Sequence, residues 1–232
     1  MSRKTVIGAM AFVAAFVASA TIAGQSLQEL KTSYESAIRV AAASPGDYAS
    51  DWKAAEAARK YGDQLETDDV PGWKGSARTV AKDGMKYGEL AFKLNPSGIE
   101  GWYWYGLCVG TYSDCVSIFS ALAEGLKGKT QQGFENAYKF NKMYDHGGPI
   151  IALGRFWQSI PGIAGQDLGK AERLYDEYIG LFGTSKDANS DAWLFRGMLY
   201  RDTRRTDLAR ADFEKAIAMG SKKAVKELAN LK

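Results

Sequence analysis

The chain has 232 residues, of which 46% are hydrophobic, and this is enough for a sizeable core in one or two domains. Its formal net charge is only +3, and its basic clusters at residues 201–205 and 222–223 are short, which excludes nucleic-acid binding as a function class. Helix formers are plentiful and alternating strand patterns are scarce, so an all-α fold is predicted.

The first segment, residues 1–23, is typical of a secretory signal peptide. Arg3 and Lys4 precede an apolar run at residues 6–17, and two small-x-small triplets follow it. An uncleaved anchor is the alternative, although the run is shorter than the ~20 apolar residues of a usual membrane span. Cleavage removes both basic residues and no acidic one, which lowers the net charge from +3 to +1. We therefore predict an exported protein that is periplasmic and soluble after cleavage, with a single domain over residues 24–232.

Turn and capping residues divide the rest of the chain into about eleven helical segments joined by short connectors. The first begins at a capping box formed by Ser26 and Glu29. Short connectors favour antiparallel neighbours. A helix at residues 115–127 is expected to be capped by Ser113 or Asp114. The other later helices are predicted at residues 130–144, 149–159, 167–182, 187–203, 206–219 and 221–231.

Four adjacent aromatic residues, at positions 102–105, lie in the fourth predicted helix. Trp102, Tyr105 and Val109 form an i, i+3, i+7 stripe, which is expected to pack inside its own repeat. Trp104 points about 160–200° away from that stripe, and Tyr103 lies between the two directions. Those two rings either pack against the inserted helix around residues 116–122 or line a cavity.

Cys108 and Cys115 are the only cysteines, and export implies an oxidising compartment. On one continuous helix their Cα atoms would be about 10 Å apart, too far for a disulfide. Gly110, Ser113 and Asp114 are able to interrupt such a helix, and a bridge then becomes feasible. A disulfide and two small buried thiols are therefore both open.

A helical repeat is clearest in residues 190–221. Its six marker residues fall at positions 4, 8, 11, 20, 24 and 27 of a unit of about 34 residues, which is the tetratricopeptide (TPR) pattern. These residues are Trp193, Gly197, Tyr200, Ala209, Phe213 and Ala216. Gly154 and Gly106 occupy the position of Gly197 in two earlier units. The unit that contains Gly106 has an insertion at about residues 114–125. We predict a TPR-like helical-repeat solenoid of about four antiparallel helix pairs plus terminal helices.

Residues 84–218 resemble the TPR-type T component associated with TRAP transporters (TatT). The resembling stretches are YGELAFKLNPSGIEGWYWYG, SIFSALAEGLKGKTQQGFENAYKFNKMYDHGGPIIALGRFW and LGKAERLYDEYI. The resemblance implies a noncatalytic protein outside the cytoplasm, a periplasmic solute-binding protein as its partner, and a passage for a small hydrophobic ligand. No cysteine lies near the cleavage zone, so a lipid anchor is not predicted.

The chain has more aromatic residues in this region than two narrow helical stripes can bury, and we predict that six of them contact the ligand. They are Trp104, Tyr103, Trp102, Phe119, Phe156 and Trp157. Core packing is the alternative for each. A second hypothesis is an assembly scaffold that forms homo-oligomers through its solenoid ends, because Ala224, Val225 and Leu228 lie along one edge of the last helix. That edge is either a cap or an interface.

An enzyme is the third hypothesis, and no motif supports it. His146 is the only histidine, which excludes paired-histidine zinc motifs. The HGGP sequence has no G-x-S-x-G partner, so it is interpreted as a helix stop and start, with φ > 0 at Gly147 and Gly148 and Pro149 in the first turn. Residues 128–130 end like a P-loop but lack its first glycine. No catalytic residue, metal site or cofactor is predicted.

Overall fold

The computed structural model describes residues 25–231. The predicted signal peptide at residues 1–23 lies outside this range. Within it, the chain forms helices and no strand, so the all-α prediction is confirmed. The helices α1 to α11 span Leu27–Ala43, Tyr48–Thr67, Trp73–Leu94, Ile99–Asp114, Ile118–Ala123, Leu126–Asn141, Tyr144–Ser159, Leu168–Phe182, Asp191–Asp202, Thr206–Ala218 and Lys222–Ala229. A short 3-10 helix at Gly162–Ala164 joins α7 to α8.

Neighbouring helices pack in pairs: α2 with α3, α4 with α6, α7 with α8, and α9 with α10. Each pair also packs against the next, through contacts of α3 with α4, α6 with α7 and α8 with α9. The short connectors make the helices of a pair antiparallel. With α1 before the first pair and α11 after the last, this is the predicted helical repeat with terminal helices.

The same close contact recurs in three of the pairs, where a glycine on the first helix lies under an aromatic ring of the second. A Cβ atom added at Gly106, Gly154 or Gly197 would lie 2.8, 2.8 or 2.7 Å from the ring of Phe134, Tyr175 or Phe213, respectively. Such distances are shorter than real Cβ contacts, so any larger residue at these positions would have to displace the ring. The flanking residues Trp193, Tyr200, Ala209 and Ala216 are all buried.

Helix α4 is buried on every side, with each of its residues from 101 to 113 in the interior. It packs against α2, α3 and α6, and also touches α7. A helix surrounded by others has no solvent face, so apolar side chains around its whole circumference are buried. This explains the four adjacent aromatic residues.

The inserted segment differs from the predicted helix at residues 115–127. Helix α4 continues to Asp114, and Ser117 caps the short α5 by accepting a hydrogen bond from the Ser120 amide, so the predicted capping by Ser113 or Asp114 is wrong. Gly125 adopts a left-handed conformation with φ of 64°, which separates α5 from α6. Helix α6 consequently begins one turn earlier than predicted.

The two cysteines are free thiols. Cys108 lies inside α4 and Cys115 follows its last residue, so the helix is uninterrupted between them and the disulfide alternative is wrong. Cys108 is buried, and burial raises the pKa of its thiol to about 12. Burial also raises the pKa of Cys115 to about 11.

The start of α7 contains a kink. Asp145, His146 and Gly147 are left-handed, with φ of 47°, 53° and 81°, and the regular helix follows them. The prediction of φ > 0 is therefore confirmed for Gly147 and wrong for Gly148. Glycine is needed at position 148 for close approach, because a Cβ there would lie 2.1 Å from the hydroxyl oxygen of Tyr103.

Helix α11 covers the last repeat. Ala224 is fully buried in the main core cluster, and Leu228 packs against the same cluster. Val225 points outward and is 52% exposed. Arg201 of α9 also forms an ion pair with Glu227 of α11. Of the two alternatives for the last helix, these contacts match the cap.

Candidate ligand-binding site

Tyr103 and Trp104 face the beginning of α7. The hydroxyl of Tyr103 donates a hydrogen bond to Oδ2 of Asp145 at 2.9 Å, and Nε1 of Trp104 donates to the hydroxyl of Tyr144 at 3.2 Å. Both rings are almost completely buried. Their neighbours are therefore neither the inserted helix nor a ring-lined cavity, the two surroundings considered from the sequence. A ligand contact at these residues stays a prediction.

Trp102 is buried and Phe119 is exposed. The Trp102 ring stacks on Phe92 with centroids 3.9 Å apart, and its Nε1 donates a hydrogen bond to the carbonyl of Pro96 at 2.8 Å. Phe119, on α5, is 79% exposed. The structure thus does not bring these two predicted site residues together.

Phe156 and Trp157 are in edge-to-face contact on α7, with centroids 5.1 Å apart. The ammonium of Lys170 lies 3.8 Å from the centroid of the Trp157 ring. Phe156 borders a cavity. It is the one member of the six predicted ligand residues that lines this cavity.

This cavity has a volume of about 50 Å³ and lies among α2, α4, α5, α6 and α7. A buried water needs about 10–15 Å³ of such space, so the cavity has room for several atoms. Most of its surface is apolar. Its main apolar walls come from Leu107, Leu126, Phe134, Ala152, Phe156 and Ile160.

The insertion in the repeat supplies one wall of the cavity. Asp114, Ala121 and Leu122 border it, and all three belong to the segment that a regular repeat lacks. Ala121 is buried, whereas Leu122 is 59% exposed. The cavity therefore reaches the surface beside α5.

Arg59 of α2 borders the cavity on its polar side. Its Nη1 donates a hydrogen bond to the Thr111 hydroxyl at 2.5 Å, and its guanidinium forms an ion pair with Asp63. Burial raises the pKa of Asp63 to about 8, Arg59 opposes this rise, and Glu66 adds to it. This side of the cavity is a buried polar network between α2 and α4.

Arg155 of α7 is a second buried arginine in the cavity wall. It is only 6% exposed, and its Nε is buried without a hydrogen-bond partner. Its guanidinium carbon lies 4.8 Å from the centroid of the Phe195 ring. Burial lowers the pKa of Arg155, and Tyr175 and Asp114 partly offset this effect. Within residues 25–231, no carboxylate forms an ion pair with it.

No known protein family and no curated protein matches this chain. Among solved structures, the chain is similar to the crystal structure of a tetratricopeptide repeat protein from Parabacteroides merdae. The identity is 16% over 88% of this chain and 92% of that chain, with a TM-score of 0.32. Because both values are low, the fold assignment depends on this chain's own helix pairs and glycine–ring contacts. These contacts make the fold TPR-like.

The two buried arginines of this TPR-like fold are the site residues that sequence reasoning missed. Arg155 lies between Gly154 and Phe156 in an otherwise apolar helix, and Arg59 follows an alanine-rich stretch. For Arg155 the available signal was a single charge inside the apolar run at residues 149–157, since such a charge is expected to have a specific partner; the charged residues around Arg59 gave no such signal.

Two further properties bear on the described residues. No cluster of three or more His, Cys, Asp or Glu side chains in residues 25–231 is arranged to hold a metal ion. In the same part of the chain, no helix is long and apolar enough to cross a membrane.

Proposed function

We propose that this protein is a noncatalytic binding protein that holds a small apolar ligand in the cavity between α4, α5, α6 and α7. The observation that carries the proposal is that the inserted segment forms one wall of the cavity. A regular helix pair packs its two helices directly, but here the inserted segment adds Ala121 and Leu122 beside a largely apolar space. Ligand pockets are typically concave and apolar with a few polar groups.

The proposal predicts saturable binding of 1-butanol, a neutral probe with five non-hydrogen atoms. For so small a ligand we expect a dissociation constant of about 1 mM, equivalent to about 4 kcal/mol. Ligand-observed NMR titration measures it. Ala121→Leu adds three carbon atoms to the cavity wall and is expected to weaken binding about tenfold or more, because the added side chain occupies the space.

Ala123→Leu is the matched control, since Ala123 lies on the same short helix but is exposed and does not border the cavity. This variant is expected to bind 1-butanol as the wild type does. Absence of saturable binding in the wild type, or equal binding in the Ala121 and Ala123 variants, would refute a ligand site in this cavity.

The proposal also includes export to the periplasm and a protein partner there. Its support is the signal-peptide pattern at residues 1–23 and the resemblance of residues 84–218 to TatT, which makes a solute-binding protein the proposed partner. Co-purification of the tagged full-length chain from a periplasmic extract tests both parts. A chain that stays in the cytoplasmic fraction contradicts export, and a periplasmic chain that purifies alone contradicts the partner.

A further inference from the structure

We propose that the ligand is a short-chain aliphatic monocarboxylate, whose carboxylate binds Arg155 while its alkyl chain occupies the apolar part of the cavity. This inference rests on the proposed function, because it names the chemical class that the same cavity takes. It depends on three properties of the cavity: the environment of Arg155, the balance of charge around it, and its size.

Arg155 is a buried cation that forms no ion pair with a carboxylate of residues 25–231. Its side chain is buried, it borders the cavity, and its Nε has no hydrogen-bond partner. Phe195 covers one face of the guanidinium but accepts no strong hydrogen bond from it. A buried charge is costly unless it is paired and hydrogen-bonded. A carboxylate in the cavity would supply both, since guanidinium and carboxylate form paired hydrogen bonds.

The charges around the cavity favour an anion with a single negative charge. Arg59, Lys127 and Arg155 are the cations that border it, and Asp114 is the anion. Arg59 faces Asp63, and the two charges cancel above about pH 8, where Asp63 is ionised. Lys127 and Arg155 against Asp114 leave one positive charge to be neutralised, so a dicarboxylate would bring a second charge that has no counterpart.

The size and walls of the cavity set the length of the alkyl chain. A volume of about 50 Å³ accommodates roughly three to five water-sized atoms. Leu107, Leu126 and Phe134 give these atoms apolar neighbours. Counting its two oxygens, propionate has five non-hydrogen atoms and fills this space, and butyrate or a longer chain places its further carbons past Leu122 towards the surface.

The test compares butyrate with butyramide, its neutral isostere, by isothermal titration calorimetry at about pH 9, where Asp63 is ionised, on the protein comprising residues 24–232. We expect the wild type to bind butyrate about tenfold or more tightly than butyramide, since charge-assisted hydrogen bonds are the stronger ones. Succinate is expected to bind at least tenfold more weakly than butyrate. Arg155→Met keeps the length of the side chain, removes its charge and is expected to abolish the preference for butyrate. Arg173→Met is the control, because Arg173 is exposed on α8 and does not border the cavity.

The outcomes separate this inference from the proposed function. Equal binding of butyrate and butyramide by the wild type overturns the carboxylate assignment and leaves the cavity as an apolar site. Binding of neither compound, with no binding of 1-butanol, overturns both. A preference for butyrate that persists in Arg155→Met overturns the role of Arg155. If that variant does not fold, Arg155→Lys replaces it: retained selectivity with weaker binding supports the proposal, and unchanged butyrate affinity contradicts it.

Discussion

Single glycines determine how closely paired helices approach in this protein. The contact between α4 and α6 is an example in which two backbones meet, because Gly106 and Gly133 face each other there. A Cβ atom added at Gly133 would lie 2.8 Å from the Cα of Gly106 and 3.1 Å from the Trp102 carbonyl oxygen. These are backbone atoms of a completely buried helix, and they have no room to move.

Gly133→Ala is therefore expected to destabilise the protein by about 1–3 kcal/mol, because overpacking exceeds the gain in helix propensity of about 1 kcal/mol. Gly128→Ala, five residues earlier on the same helix, is the control. A Cβ there meets nothing within 4 Å. The control is expected to raise stability by up to about 0.5 kcal/mol. Urea unfolding measures both, and a Gly133 variant as stable as the control would contradict the close contact.

For single residues, the sequence predicts which side chains lie between paired helices, but it does not predict which distant residues they contact. The periodic glycines and rings predicted which residues lie between paired helices, since a steric repeat leaves a direct trace in sequence. The surroundings of Tyr103 and Trp104 were not predictable, because they depend on Tyr144 and Asp145, about forty residues away. Arg155 as an anion-binding residue was equally out of reach, since its unpaired state is a property of the folded core.

Two irregular elements distinguish this chain from a regular helical repeat: the short α5 and the kink before α7. The kink places Asp145 where it accepts the hydrogen bond of Tyr103, so it orients the start of α7 over the aromatic rings of α4. The kink costs conformational free energy, because two non-glycine residues, Asp145 and His146, adopt a left-handed backbone there. Asp145 has a role in this arrangement, whereas His146 is exposed.

His146→Gly is expected to stabilise the protein by about 0.5–1 kcal/mol, since glycine adopts φ of 53° without the Cβ penalty of about 1–2 kcal/mol. Gln132→Gly, at an exposed position inside α6, is expected to destabilise by about 0.5–1 kcal/mol. Thermal and urea unfolding of the two variants give the comparison. Equal destabilisation by the two glycines would contradict a left-handed backbone at residue 146.

Helix starts were predicted well at three side-chain caps, Ser26, Asp167 and Ser221. The start of α5 was missed although the Ser117 side chain caps it, and the start of α6 was missed because backbone conformation defines it. Gly125 begins α6 with a left-handed residue and no side-chain cap. Several glycines in that region have the same local sequence character, and only the packing of α5 selects which one turns.

The repeats bring α2 and α11, the second and the last helix of the described residues, into one electrostatic environment. Lys223 of α11 lowers the pKa of Asp63 on α2, and Asp191 of α9 raises it. Lys223 also acts on Glu66, one turn along α2. The inner side of the helical repeat is therefore a shared polar region rather than a series of separate surfaces. No sequence pattern predicted this, since the interacting residues lie on helices that are far apart in the chain.

Asp63 is expected to make the free energy of unfolding depend on pH. Burial raises its pKa from 3.8 in the unfolded chain to about 8 in the folded protein, despite Arg59 beside it. Between these two values the folded state binds more protons than the unfolded state. Stability from this group is therefore fully present below about pH 4 and is lost as the pH rises through about 8.

We expect Asp63→Asn to remove this dependence, because the amide does not titrate and keeps the size of the side chain. The unfolding free energy of the wild type minus that of the variant should fall between pH 5 and pH 8, with a slope of at most about 1.4 kcal/mol per pH unit. Subtracting the variant cancels the other titrating groups that the two proteins share. Glu135→Gln is the control, because Glu135 lies on α6 in a groove lined also by Lys170 and Glu177 of α8, apart from Asp63, and it should leave the slope unchanged. A difference that rises with pH would mean that the ion pair with Arg59 outweighs burial, so that the folded pKa of Asp63 lies below its unfolded value.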